Sequence, residues 1–208
     1  CATVFRPRTT PVMRMPSSGP LRDIEAFLFL HACDANGYVR QQALEMFQHY
    51  HGSLAMATAL IRCADWAEPV QNAAVDLLSN LLAHGYGDRL FSLLDLVLPL
   101  RGRRRMAERA WPELLEPALR DPRFMVMRLN ATRNRAAEVR LFALELAGEI
   151  DPGSLSTALA NAAQDDNIRI ALWAVRTAPS TTVALRTLDL ALKNRQPAVR
   201  AEALRRWT

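Results

Sequence analysis

The 208-residue sequence predicts an all-α fold, an α-α superhelix (a solenoid) of about six antiparallel helix pairs. From residue 21 onward, apolar residues recur at the spacing of one helix face, in short segments separated by Gly, Pro and Asp. A similar segment returns roughly every 30 residues, which is typical of stacked helical repeats. The composition agrees, because only 7% of the residues are aromatic and Gly is sparse, unlike a β-barrel or β-sandwich.

The two ends of the sequence differ from its middle. Residues 1–20 hold four prolines and no periodic apolar face, so we expect an extended or disordered leader. The sequence begins with Cys1 instead of Met, so we expect a processed or excised chain, and lipidation of this cysteine stays open. No polar capping repeat follows Trp207, which leaves open that the solenoid of residues 21–208 continues. No run of eighteen apolar residues occurs, which excludes a membrane-spanning helix.

The repeat is anchored on a β-branched or Met residue that is followed four positions later by Ala or Leu. The spacings between the anchors are 31, 36, 33, 29 and 31 residues. Positions 0, +4, +7 and +8 fall on one face of an α-helix, so each anchor marks the second helix of a pair and its buried side. The predicted anchors are Val39, Val70, Met106, Val139, Ile168 and Val199.

Another apolar-periodic segment precedes each anchored helix and supplies the first helix of the pair. In the third and fourth pairs we expect Pro112, Pro117 and Pro122 to interrupt or shorten the helices, because proline lacks the N–H that a helix interior needs. The six predicted first helices are 24–33, 54–64, 89–98, 124–129, 155–163 and 183–192.

The junctions between the paired helices carry a polar residue followed by Val-Arg-x-x-Ala or a close variant, as in DANGYVRQQAL, AEVRLFALELAGEI, DDNIRIALWAV and QPAVRAEALRRW. They resemble HEAT repeats of the short bacterial kind called PBS-lyase HEAT-like, over residues 21–208. The resemblance implies a ladder in which an Asp six residues before the Arg links neighbouring repeats, and it predicts a buried Arg40 bonded to Asp34 or to nearby backbone. The other ladder positions are Asn134/Arg140, Asn194/Arg200 and, with a glutamine, Asp65/Gln71.

Positions +2, +6 and +9 of the second helices lie opposite the core, and the resemblance implies that they line a concave groove. Three of the six copies have an acid at +6 and only the last has a base, so the groove is acidic to neutral and then apolar. Such a groove does not suit phosphates, which need cations. It favours a protein or peptide partner, and an ordinary solvated face is the alternative. The candidate groove residues are Glu45, Asp76, Leu141, Glu145 and Ile170.

Positive charge is concentrated in one segment. Residues 101–135 hold ten arginines and four acids, a charge of +6, while the other 173 residues sum to −1. We expect these arginines on an edge or on the convex side, since Glu108, Pro112 and Leu115 take the groove positions there. Exposed arginines attract phosphates, acidic proteins or anionic lipid heads, and a merely solvated loop is the alternative. The centre of this basic patch is predicted at Arg101, Arg103, Arg104 and Arg105.

Residue patterns typical of an active site are absent from the sequence. The four histidines form no repeated His-Glu pair, the three cysteines show no zinc or disulfide spacing, and no Gly-rich phosphate loop occurs. We therefore predict no catalytic, cofactor or metal-binding residues. Cys33 and Cys63 are interpreted as small buried residues of a protein in a reducing compartment, the cytoplasm.

The predicted function is a protein-interaction scaffold that binds a protein or peptide in the groove. The alternative is a nucleic-acid-binding HEAT-like protein or an alkylbase DNA glycosylase-like enzyme that uses residues 101–135. The HEAT-like glycosylases need a carboxylate beside aromatic residues in a cationic groove, and Asp165 or Asp166 near Trp173 is the nearest match. Both aspartates also fit a helix start, where carboxylates offset unpaired N–H groups.

Overall fold

The computed structural model describes residues 20–150, 155–178 and 182–207. Over these ranges the protein is all-helical and contains no strand, so the predicted all-α class is confirmed. The chain divides into two compact units, with the boundary between Ala118 and Leu119. The predicted leader lies outside the described residues, except for Pro20.

Unit 1 contains three helix pairs in the part of the chain that is described. α1 packs on α2, α3 packs on α4, and α5 with α6 precedes a π-helical segment that packs on α6. The first helices α1, α3 and α6 contact one another in turn, as do α2, α4 and the π-helical segment, so the unit has two layers. The elements are α1 Leu21–Ala32, α2 Gly37–Phe47, α3 Ser53–Arg62, α4 Glu68–Ala83, α5 Asp88–Ser92, α6 Leu94–Arg101 and the π-helical Met106–Leu115, followed by α7 Glu116–Arg120, which spans the boundary.

Unit 2 repeats this arrangement. α8 packs on α9, α10 on α11 and α12 on α13. The first helices α10 and α12 touch each other, and the second helices α9, α11 and α13 contact one another in turn. After a 3-10 turn at Pro122–Phe124, the elements are α8 Met125–Ala131, α9 Ala137–Ile150, α10 Ser156–Ala162, α11 Ile168–Thr177, α12 Thr182–Leu192 and α13 Pro197–Trp207.

The predicted repeat register is correct for five anchors and wrong for one. The other five anchors are buried, but Ile168 is 39% exposed. The buried residues of α11 include Ile170 and Ala174, at 1% and 0% exposed, so the anchor of the fifth repeat is shifted by two positions. The physical reason is the turn: Asp165 stands five residues before Ile170, the same distance that separates the polar turn residue from the anchor in the first repeat.

A common turn structure sets the start of the second helices. In five of the described turns between paired helices, the side-chain oxygen of an Asp or Asn accepts a hydrogen bond from the backbone N–H two residues later, at 2.7–3.0 Å. This local bond stabilises the turn before the helix begins. The accepting residues are Asp34, Asp65, Asn134, Asp165 and Asn194.

The third pair departs from the rest because of Pro112. We expected this residue to interrupt the helix, and instead the chain remains helical through it as the π-helical segment, continuing directly into α7. Proline provides no N–H for the normal α-helical bond, and a widened turn absorbs the defect. Met106, Ala110 and Leu115 of the segment are all fully buried, so its core face is kept.

Candidate protein-binding cleft and basic patch

A polar cleft lies in unit 1 between α2 and α4. It has a volume of about 390 Å³. Two of the predicted groove residues, Glu45 and Asp76, line this same cleft, one from each helix. The +2, +6 and +9 positions of the first repeat and the +2 and +6 positions of the second therefore come together. The lining residues are Gln41, Glu45, Gln48, Glu68, Pro69, Asn72, Ala73 and Asp76.

Three exposed carboxylates give this cleft its charge: Glu45, Glu68 and Asp76. We call this cleft between α2 and α4, with its three carboxylates, the acidic cleft. The Gln41 amide donates to the Glu45 carboxylate at 2.8 Å and holds it in place. Arg109 of the π-helical segment donates to the side chain of Asn72, so a guanidinium borders the cleft beside this residue.

Glu68 was not among the predicted groove residues, although the sequence contains the signal. It stands four residues before Asn72, at −2 from the anchor of the second repeat, and residues four apart lie on the same face of a helix. The prediction considered only positions after the anchor. Extending the helical wheel one turn backward would have included this glutamate.

The predicted groove residues of unit 2 have different environments. Glu145 is exposed and lines a cleft of about 300 Å³ together with Leu155, Leu159 and Trp173. Leu141 is half-buried and does not line this cleft.

Ile170 was wrongly predicted to face the groove. It is 1% exposed and belongs to the hydrophobic core of unit 2. The cause is the two-residue register shift of the fifth repeat, which makes Ile170 the anchor of its helix instead of a +2 residue.

The predicted basic patch lies at the turn between α6 and the π-helical segment. Arg101, Arg103 and Arg104 are exposed, while Arg105 is half-buried. The Arg101 guanidinium lies 4.6 Å from the ring centre of Trp111, a cation–π contact that orients it. Three exposed guanidinium groups are therefore clustered at the end of α6 and the following turn, with that of Arg101 on an aromatic ring and that of Arg104 only 3.9 Å from the exposed Glu108.

The remaining arginines of 101–135 do not extend the basic patch uniformly. Arg128 is 1% exposed and its guanidinium donates to the carbonyl oxygens of Leu119 and Asp121, at 2.8 and 3.0 Å from Nη2. Burial lowers the pKa of this guanidinium. Arg123 binds the Asp121 carboxylate at 2.7 Å, and this pairing lowers the pKa of that carboxyl. Among the ten arginines of the segment, Arg128 is therefore buried and Arg123 is paired with an acid, so these two do not add to the basic patch.

The ladder links the first two turns of unit 1. Arg40 is 3% exposed, and its Nη1 donates to the carbonyl oxygens of Asp34 and Ala35 at 2.9 and 3.0 Å, so the prediction for Arg40 is confirmed. Its Nε and Nη2 donate to both carboxylate oxygens of Asp65, in the next turn, at 3.0 and 2.9 Å. The carboxylate partner of Arg40 is therefore an aspartate 25 residues later.

Gln71 links the second turn to the third. Its amide donates to the carbonyl oxygens of Cys63 and Arg105, both at 3.2 Å. The sequence predicted Asp65 opposite Gln71, and this pairing is wrong, because the amide reaches backbone instead. The bond to the Arg105 carbonyl fixes the turn of the basic patch against α4.

Arg140 forms the same joint in unit 2. Its Nη1 donates to the carbonyl oxygens of Asn134 and Arg135 at 2.9 and 2.8 Å, and its Nε and Nη2 donate to both oxygens of Asp165 at 2.8 Å. The bonds with Asp165 raise the pKa of the Arg140 guanidinium. Asp165 is thereby engaged in the ladder, and Asp166 forms an exposed ion pair with Arg195 at 3.0 Å.

Two exposed aromatic side chains lie at or next to the first two turns of unit 1. Trp66, directly after the ladder residue Asp65, is 73% exposed, and Tyr38 at the start of α2 is 64% exposed. The Arg40 guanidinium lies 5.6 Å from the ring centre of Trp66. Sequence reasoning did not single out either residue, since both precede the anchors from which the helical faces were assigned.

The described residues contain no cluster of three or more His, Cys, Asp or Glu side chains that could hold a metal ion. None of the described helices has the length and apolar character needed to cross a membrane. Cys63 is buried as expected, whereas Cys33 is exposed, so the prediction of burial is wrong for Cys33.

Comparison with models of known protein families gave no match, and comparison with curated proteins gave none either.

Proposed function

We propose that the protein is a non-catalytic scaffold built of HEAT-like repeats that binds a basic segment of another protein in the acidic cleft. The two-layered stacking within each unit supports the solenoid part of this proposal. A cytoplasmic location is part of the same proposal, because the sparse cysteines show no disulfide pattern.

The observation that carries the proposal is the convergence of Glu45, Glu68 and Asp76 on one cleft between two helices. Three carboxylates at one concave site attract a cationic side chain and repel phosphates. Two half-buried amides, Gln48 and Asn72, also line the cleft, and their N–H groups can donate to the carbonyl oxygens of an extended backbone. A short segment with Arg or Lys residues therefore has the complementary chemistry.

The test measures binding of a fluorescent oligo-arginine peptide by fluorescence anisotropy, with an oligo-glutamate peptide as the charge control. Glu45→Gln combined with Asp76→Asn should weaken oligo-arginine binding by about tenfold or more, a loss of about 1.4 kcal/mol. The matched control is Asp95→Asn, which removes an exposed acid of α6 outside the cleft. Equal binding by the cleft variant and the control would contradict the proposal.

Nucleic-acid binding is a second candidate function, favoured by one specific observation. The ladder bonds of Arg40 and Gln71 connect three successive turns, which carry Tyr38, then Trp66, then the basic patch. Exposed aromatics beside arginines are suited to stacked bases and phosphates of a single strand. The alkylbase glycosylase-like version has less support, because Asp165 is bound by Arg140.

A separate experiment addresses this candidate. Heparin retention and binding to a single-stranded oligonucleotide are measured against salt concentration, for the wild-type chain and for a variant with Arg101, Arg103 and Arg104 changed to Gln. Loss of oligonucleotide binding in this variant and in Trp66→Ala supports the candidate. Loss of heparin retention alone, with oligo-arginine binding in the acidic cleft intact, leaves the basic patch as a nonspecific anion site and rejects it.

A further inference from the structure

Unit 2 contains a second cleft, whose lining differs from that of the acidic cleft. It lies against α9, α11 and the start of α10 and has a volume of about 300 Å³. Two leucines and a tryptophan stand where the acidic cleft has amides, and two acids lie at the edge. We call it the tryptophan cleft, and its lining residues are Glu145, Gly148, Glu149, Leu155, Leu159, Trp173 and Thr177.

Gly148 opens the tryptophan cleft. It stands nine residues after the anchor Val139, and the same position of the first repeat is Gln48, which lines the acidic cleft. Because glycine has no side chain, the cleft extends to Leu155 and Leu159 in the core of unit 2. A Cβ atom at position 148 would lie 3.3 Å from Leu155 Cδ2, so a larger residue here would occupy this space.

Trp173 offers the cleft an aromatic surface that no described cation uses. The ring is half-buried and packs on the core of unit 2. Two other tryptophans carry an arginine. Arg40 lies 5.6 Å from the ring centre of Trp66, and Arg101 lies 4.6 Å from that of Trp111. No guanidinium of the described residues lies over Trp173, so the exposed part of this ring can receive a cation from another molecule.

The two acids at the edge of the tryptophan cleft differ in their partners. The Glu149 carboxylate accepts from the Arg120 guanidinium at 2.7 Å. Glu145 is exposed and forms no ion pair within the part of the chain that the structure describes. The hydroxyl of Thr177, one turn after Trp173 on α11, is a further hydrogen-bond acceptor in the lining. A cation that enters the cleft therefore meets an available carboxylate and an aromatic ring.

We propose that the tryptophan cleft binds an arginine side chain of a partner protein. The guanidinium stacks on Trp173 and donates to the Glu145 carboxylate, and the aliphatic stem packs on the edges of the two leucines. A guanidinium is planar and weakly hydrated, so it stacks on an aromatic ring while it pairs with a carboxylate, whereas an ammonium is strongly hydrated. The apolar lining therefore selects arginine over lysine. This inference does not rest on the acidic cleft, whose three carboxylates attract either cation.

The test follows the indole N–H resonance of Trp173 in a nitrogen–proton NMR correlation spectrum while N-acetyl-arginine amide is added. Trp173→Phe identifies the resonance. In the wild-type chain it should shift and reach saturation, with a Kd of about 1 mM for so small a probe. N-acetyl-lysine amide should bind about threefold or more weakly, because its ammonium stacks poorly on the ring.

Two variants of α9 test the two halves of the site. Glu145→Gln should weaken binding of the arginine probe by about threefold or more, because the ion pair is lost. Gly148→Gln gives the cleft the residue that the first repeat has there, and it should abolish the saturable shift. Glutamine favours a helix more than glycine does, and circular dichroism verifies the fold. Glu138→Gln, at an exposed acid of α9 outside the cleft, is the matched control and should bind like the wild type.

The combined Glu45→Gln and Asp76→Asn variant separates this proposal from the proposed function. It should leave the shift of the Trp173 resonance unchanged, because both substitutions lie in unit 1. Loss of the shift in this variant would overturn the inference. So would the absence of a saturable shift up to about 10 mM arginine probe, tenfold above the expected Kd. Equal affinity for the lysine probe, or undiminished binding by Gly148→Gln, would likewise overturn it.

Discussion

The joint between the first two helix pairs and the joint between the fourth and fifth use the same bonds in different surroundings. At Arg40–Asp65 the two side chains are 4% and 1% exposed, and at Arg140–Asp165 they are 17% and 12% exposed. A second guanidinium, that of Arg62, also donates to Asp65, at 3.1 Å. The Val-Arg-x-x-Ala-Leu stretch therefore gives one geometry twice, while the surroundings decide how much the joint stabilises each unit.

The largest expected effect comes from breaking the more buried joint. Arg40→Met should lower the free energy of unfolding by about 3 kcal/mol, the lower end of the cost of an unpaired buried charge, since Arg62 still faces Asp65. Arg140→Met should cost about 1 kcal/mol, because its partner is closer to water. Urea denaturation followed by circular dichroism measures both. A larger loss of unfolding free energy for Arg140→Met than for Arg40→Met would contradict the claim that the more buried joint is the more stabilising one.

Overpacking the core should lower the free energy of unfolding by similar amounts in the two units, whereas breaking the two joints should not. Ala74 and Ala143 stand four residues after their anchors and are 0% and 1% exposed. Replacing either with Phe should overpack its core and lower the free energy of unfolding by about 1–3 kcal/mol. Ala201→Phe, at an exposed position of α13, is the control. Thermal melting that is unchanged for both buried positions would reject the repeat register.

The helix pairs were predictable because local chemistry sets them. Apolar spacing marks the buried faces of the second helices, and the polar turn residue five positions before the anchor fixes where each helix starts. The fifth repeat shows which signal is stronger. The apolar pattern alone selected Ile168, while the distance from Asp165 selects Ile170, and the core contains Ile170. Turn chemistry was therefore the better guide there.

The acidic cleft and the ladder partners were less predictable, because they depend on how successive pairs stack. Nothing local to residue 40 indicates that its carboxylate partner is Asp65 and not Asp34. Similarly, Arg128 looks like one more cation of a basic segment, and only packing shows that it is buried against the backbone carbonyls of Leu119 and Asp121. Both pairings depend on which segments the fold brings together, and the residues next to the arginine do not display this.

Acid should reveal the strength of the first joint. Burial raises the pKa of the Asp65 carboxyl, but hydrogen bonds from Arg40, the Ala67 N–H and Arg62 outweigh this and leave the pKa below its ordinary value. A carboxyl with a depressed pKa in the folded state stabilises above its unfolded pKa, about 3.9, and this stabilisation is lost as pH falls through the folded pKa. The stability difference between wild type and Asp65→Asn should therefore shrink as the pH falls from about 5 to about 2. A difference that stays constant over this range would show that Asp65 contributes through packing alone.

The smallest expected effect concerns the two described cysteines, each of which directly follows the first helix of its pair. Cys63 is 0% exposed, and burial raises the pKa of its thiol to about 12, with Arg109 acting weakly in the other direction, whereas Cys33 is exposed. Only the thiolate reacts with thiol reagents. In a Cys1→Ser background, a colorimetric thiol reagent at about pH 8, near the ordinary pKa of cysteine, should modify Cys33 in the folded protein and Cys63 only in urea. Cys33→Ser should change the free energy of unfolding by no more than about 0.5 kcal/mol, as for an ordinary surface substitution. Rapid modification of Cys63 without urea would mean that the first two helix pairs separate readily, which would contradict the strong joint assigned to Arg40 and Asp65.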